Sequence, residues 1–186
     1  MTQTLRLAVA SFATLAALAL SGCIQASGPV LTGGEQMFGP KLRLQLYGLR
    51  DGYARDLETV SFAWNGSLYA HAGGGLKDVA AFSVHAFEGG DTIIQTVPAK
   101  PGQPTEFAVA HRLADGVWQV LPIDEADADE ATRAAFCKKA DKTSCTIETR
   151  EQLLAFARAT AAQRKDSGGL AIRLPDDKRR ARKPHR

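Results

Sequence analysis

Three histidines are the side chains in this sequence best suited to chemistry. His71, His85 and His111 each fall in a stretch patterned like a strand, and imidazole ligates zinc and copper alike. Converging, they would make a metal site; on separate faces they are half-buried aromatics. No two lie within one local ligand spacing, so the sequence predicts no metal and no cofactor. Acids cluster at Asp124, Glu125, Asp127, Asp129 and Glu130. They lack the EF-hand spacing and its central Gly, and read as a solvated helix start with an N-cap. Gly73-Gly74-Gly75 has neither the Lys-Ser/Thr nor the helix that would make it a phosphate loop, and reads as a hairpin connection. No Gly-x-Ser-x-Gly elbow, Walker loop, His-Glu-x-x-His or Rossmann fingerprint occurs. The expectation is a non-enzymatic protein. The alternative is a metal-binding or enzymatic domain using His71, His85 and His111.

The N-terminus carries a different chemistry. After Arg6, residues 7–20 run without a charge. As a helix they rise about 21 Å, short of the roughly 30 Å hydrocarbon core, which suits a cleaved signal better than a span. Leu20-Ser21-Gly22-Cys23 follows: a branched apolar residue, two small residues and a thiol. This resembles the lipobox of bacterial lipoproteins. The resemblance covers about the first 23 residues and implies cleavage before Cys23, with acyl chains on that cysteine. At about 0.8 kcal/mol per buried CH₂, two or three chains hold a protein durably. In the family's sorting pattern an Asp after the Cys retains the protein in the inner membrane. Ile24 stands there, so the resemblance implies the periplasmic face of the outer membrane.

Lipidation of Cys23 leaves Cys137 and Cys145 in an oxidising compartment, where two thiols are expected to pair. Zinc is disfavoured by the lack of a second Cys pair or a nearby His. Redox activity is disfavoured because the spacing is not Cys-x-x-Cys.

Composition is that of a globular chain, with 45% hydrophobic and 23% charged residues among 186. The net charge of +3 sits in the tail: Asp176 to Arg186 holds six Lys/Arg and two Asp, a local +4. Setting aside that tail and Arg6 leaves 16 bases against 18 acids, from the chain's 23 and 20. A near-neutral body with one basic end is no nucleic-acid-binding face. The tail reads as disordered, either solubilising or drawn to anionic lipid or an acidic cell-wall polymer.

The elements that would position these residues form an α+β plan: an antiparallel β-meander of hairpins, two α-helices and a C-terminal strand. Lys41–Tyr47 alternates as a half-buried strand. Asn65-Gly66 predicts a type I′ hairpin that sets Phe62 opposite Tyr69 and Val60 opposite His71. Asp115-Gly116 predicts another, with Leu113 facing Trp118, Arg112 facing Gln119 and His111 facing Val120. Val79–Phe87 and Thr92–Val97 flank Glu88-Gly89-Gly90-Asp91 as a third. A helix is expected over Asp124–Lys139 and a second from Thr149 to about Gln163, with Gln152 completing a capping box. Leu170–Leu174 reads as the last strand. The domain plan is thus 1–22 signal, 23–40 flexible Gly/Pro tether, 41–175 a single domain, and 176–186 basic tail. The expected partners are the membrane through Cys23, lipid or wall polymer through the tail, and an envelope protein.

Overall fold

A computed structural model describes residues 24–50, 53–74, 76–137, 145–163 and 168–175. The signal, Cys23 and the basic tail lie outside these residues. About half of the described chain is strand, starting with a short one, β1 (Gln25–Ala26). Eight longer strands follow: β2 (Lys41–Arg50), β3 (Tyr53–Trp64), β4 (Tyr69–Gly74), β5 (Val79–Ala86), β6 (Thr92–Pro98), β7 (Thr105–Ala114), β8 (Val117–Pro122) and β9 (Gly168–Arg173). From β2 to β9 each strand pairs antiparallel with the next in sequence, and β9 returns to pair with β2. The meander therefore closes into an eight-stranded barrel, which leaves few free sheet edges. Closure rests on β9, which follows the helices and sits between β8 and β2.

Alternation along the strands gives the barrel two apolar faces. Leu42, Val60, Phe62, Tyr69, Phe82 and Val84 fill the interior. Ile93, Phe107 and Val109 point outward from β6 and β7, where a helix covers them. That helix is α2 (Arg150–Gln163), whose stripe Leu153, Phe156, Ala157 and Thr160 is buried. Its capping box forms as expected: Thr149 Oγ1 accepts from the Gln152 N–H at 3.3 Å, and Gln152 Oε1 accepts from the Thr149 N–H at 3.0 Å.

The Asn65-Gly66 hairpin differs from expectation. Asn65 Oδ1 accepts from the Ser67 and Leu68 N–H groups, at 3.2 and 2.9 Å, and opens the turn to a four-residue loop. Trp64 then faces Tyr69 and Phe62 faces His71, a slip of two residues. Because the side-chain period is two, the slip leaves every residue on its expected face.

The Asp115-Gly116 turn forms as expected, with Ala114 opposite Val117. A β-bulge then spends Leu113 as an unpaired residue, so Arg112 faces Trp118 and His111 faces Gln119. A shift of one changes faces. Leu113 is left 53% exposed, and His111 lies beside Gln119 on the outer face, not beside Val120.

The first helix breaks in two. Asp124 caps a 3₁₀ turn over Glu125–Asp127, accepting from the Ala126 N–H at 2.8 Å. Asp129 then caps α1 (Glu130–Phe136), accepting from the Thr132 N–H at 2.7 Å. Two Asp caps five residues apart each start their own turn, and buried Ala128 joins them. Residues 138–139, the expected end of this helix, lie outside the described ones.

The largest correction is the tether. Residues 24–40 were expected as a flexible lead; they are bound along the barrel. Ile24 is fully buried, and Ala26 and Leu31 are buried. Apolar residues among the glycines and prolines supply this packing, at about 1.5–3 kcal/mol for a side chain such as Ile24. β1 adds to the edge of β7, with Gln25 opposite Glu106. The lead ends by folding over one mouth of the barrel, where Phe38 stacks edge-on against Trp118 at 5.0 Å.

Candidate functional site

The described side chains that hold the lead strand are the most specific constellation in the protein. Gln95, on β6, is buried, and all four hydrogen-bonding positions of its amide are used. Its Oε1 accepts from the Val30 and Leu31 N–H groups, both at 2.8 Å. Its Nε2 donates to Leu31 O at 3.0 Å and to Ser83 Oγ at 3.3 Å. Ser83 in turn meets His85 Nε2 at 2.9 Å. Further along, the Glu35 N–H donates to Val84 O at 2.9 Å. Tyr69 finishes the clamp: its hydroxyl accepts from the Phe38 N–H at 2.8 Å and donates to Gly39 O at 3.1 Å. Burial pushes that hydroxyl's pKa up, the Phe38 bond opposing it.

The histidines do not form one site. His71 pairs with Phe62, so it shares the barrel's inner face, its ring edge-on to Phe62 at 5.7 Å. Its Nε2 is buried without a protein partner among the described residues. His85 and His111 are on the outer face. Burial holds the His85 imidazole below the usual range, with Arg150 adding to the effect and Glu35 opposing it. His111 Nδ1 meets Asp91 Oδ1 at 2.5 Å, and Asp91 is 5% exposed. That pair is the orienting half of a general-base arrangement. Among the described residues, no hydrogen bond joins the His111 ring to a nucleophile.

Cys137 and Cys145 come to disulfide distance, with Cα atoms 4.9 Å apart. Cys145 is buried beside Ile147 and Phe156, so the link ties the end of α1 to the layer under α2. Among the described residues, Glu125 with these two cysteines is the one group bringing three metal-ligand atoms within 4.8 Å of one another. A disulfide withdraws both sulfurs from coordination. The acidic cluster acts through its caps, as above. Gly73 and Gly74 belong to β4 rather than to a free connection, and a Cβ on Gly74 would lie 2.3 Å from Thr59 O.

Among the described residues, the barrel interior is packed. A cavity of about 30 Å³ remains among Leu42, Phe82, Trp118 and Val120. Small-molecule pockets are about tenfold larger or more. Glu106, near one rim, has its carboxyl raised above the usual range by burial and by Asp78. An open groove lies at that same rim, between Ser27–Pro29 and the loop from Val97 to Gln103.

Two chain ends mark the two rims. The Ile24 N–H donates to Ile123 O at 3.1 Å, just past β8. At the other end of β8, the Arg173 N–H donates to Gly116 O at 2.7 Å, and the Leu174 N–H donates to Arg43 O at 2.8 Å. The chain therefore enters the described fold at one rim and leaves it at the opposite rim.

No protein-family model matches the chain, and no curated protein or solved structure matches it. Geometry alone gives its class: a closed, up-and-down antiparallel barrel with a helical layer on one wall and its N-terminal segment strapped to the outside.

Proposed function

We propose that this chain is a lipid-anchored protein of the bacterial cell envelope, cut before Cys23 and held at the periplasmic face of the outer membrane. Its barrel serves there as a non-enzymatic binding or assembly module. One observation carries the reading: the residue after the lipobox cysteine is fully buried and hydrogen-bonded to the barrel. A cut before Cys23 thus leaves the described fold intact and places the acyl chains against it. The packed interior and the scattered histidines favour binding by the surface over chemistry in a pocket.

The test is Cys23→Ala in the native host. Lipoprotein processing requires the lipidated substrate, so the variant takes up no fatty acid and accumulates with residues 1–22 attached. Normal cleavage of the variant contradicts the reading. A pull-down from detergent-solubilised envelopes then identifies the partner.

The second reading, a metal-binding or enzymatic domain, keeps one observation in its favour, the Asp91–His111 pair. Zinc or copper in the purified protein, with a melting temperature lowered by chelator, would revive it.

A further inference from the structure

We propose that Glu125, Cys137 and Cys145 form a zinc site once the Cys137–Cys145 bond is reduced, so that this corner of the fold holds either a disulfide or a metal ion. Such a site is independent of the lipid anchor and gives the domain a ligand of its own.

Three segments deliver the ligands, and each is fixed by its own hydrogen bonds. Glu125 opens the 3₁₀ turn after β8; Asp124 caps that turn, and the Ala128 N–H donates to Glu125 O at 3.2 Å. Cys137 closes α1, its N–H donating to Arg133 O at 2.8 Å. Cys145 leads into Ile147, whose N–H donates to Gln25 O at 2.9 Å. One carboxylate oxygen and both sulfurs thereby lie within 4.8 Å of one another. Cys145 is buried, and Cys137 and Glu125 are partly buried. A carboxylate taken partly out of water calls for a donor or a cation. Among the described residues, no hydrogen bond or ion pair holds the Glu125 side chain.

Reduction turns the two sulfurs into ligands. The thiolate of an external dithiol attacks the more exposed sulfur, that of Cys137, and displaces Cys145. The second thiol of the reductant then releases Cys137. Two electrons and two protons pass to the cysteines, and the dithiol becomes a disulfide. Zinc binds both sulfurs as thiolates and releases those two protons. With Zn–S near 2.3 Å and Zn–O near 2.0–2.2 Å, the ligands of one tetrahedral ion lie about 3.5–3.8 Å apart. The widest gap in the set therefore closes by about 1 Å of side-chain movement, while the two sulfurs separate. Two thiolates alone would suit copper(I); the hard carboxylate oxygen selects zinc. Asp124, Asp127 and Asp129 add a negative potential that draws a cation in. Three protein ligands leave the fourth position to water, as in zinc sites that take a substrate.

The test titrates zinc against a chromophoric chelator. It uses the whole chain recovered from the envelope, purified in detergent and reduced by a phosphine without oxygen. Reduced wild type should take up a single zinc ion, and the oxidised protein none. Glu125→Gln should weaken binding by at least about tenfold, since even the outer partners of zinc ligands are worth about 10–100-fold. Glu130→Gln, at an exposed acid of the same cluster, should leave the affinity unchanged. The melting temperature of oxidised Glu125→Gln, which keeps its disulfide, confirms that the variant is folded. Cobalt(II) in place of zinc should give reduced wild type the intense visible bands of a tetrahedral thiolate site. Equal affinity in wild type and Glu125→Gln overturns the inference, because two thiols alone would then account for the binding. So does zinc uptake by the oxidised protein, which would place the ion elsewhere. Reduced wild type that leaves all zinc with the chelator, or lacks the cobalt bands, overturns it without any variant.

Discussion

The Ile24 N–H donates to the carbonyl of Ile123, so the residue after Cys23 already belongs to the barrel's outer layer. Its buried side chain packs in the cluster that includes Ile147, Leu153 and Phe156. The segment that joins Cys23 to the strands is thus a structural element, and its removal is predicted to be costly. Ile24→Ala should lower stability by about 2–5 kcal/mol, the usual range for emptying a buried aliphatic site. Chemical denaturation of the soluble form starting at residue 24 measures it. A loss below about 0.5 kcal/mol would mean that the lead is only loosely held.

Gln95→Leu should release the strap in its middle. The substitution keeps the volume but strands the Val30 and Leu31 N–H groups and Leu31 O. Buried unpaired groups cost about 1–3 kcal/mol each. Limited proteolysis should then cut between residues 27 and 37 while β2–β9 remain protected. Unchanged cleavage there would place the strap's stability elsewhere.

His85 ties this latch to pH. Its folded pKa lies below the ordinary 6.5, chiefly through burial. The unfolded chain therefore takes up its proton first as pH falls. The stability from the neutral ring is complete above about 6.5 and is lost as pH drops from there toward the folded pKa. Glu106 has the opposite sign. Its raised pKa means that ionisation opposes folding, so its contribution is complete below 4.5 and is lost as pH rises through the folded value. Melting curves across pH should show His85→Gln flattening the loss below 6.5. Glu106→Gln should be more stable than wild type near neutrality, and the gain should vanish below pH 4.5. Parallel wild-type and variant curves would contradict both.

The Cys137–Cys145 link is predicted to be closed in exported protein. Intact mass should rise by two hydrogens on reduction, and stability should fall by about 2–3 kcal/mol for so short a loop. Thiols that react with alkylating agents before reduction would contradict it.

How much of this was legible in the sequence depended on whether a signal was local. The Thr149–Gln152 capping box, the Glu88–Asp91 turn and the strand at Leu170 follow from residues within a few positions of each other, and each forms as read. The two other hairpins were placed correctly, but their registers were decided by a side chain and a bulge. Asn65 Oδ1 widens one loop, and Leu113 drops out of the other. Barrel closure was not legible, because β9 finds β2 across more than a hundred residues. The strap was missed for a related reason. Its Gly and Pro suggested a linker, while its receptor, Gln95, looks in the sequence like an ordinary polar strand residue. Ile24, Ala26 and Leu31 were the available signal: apolar residues that a solvated tether has no use for.

The anchor is tested most directly by the mass of the N-terminal peptide of wild-type protein recovered from the envelope. The account predicts a peptide beginning at Cys23, heavier than its sequence by a diacylglyceryl group and usually one further acyl chain. A peptide beginning at Cys23 or elsewhere with no lipid would contradict the account. The membrane address would then fall.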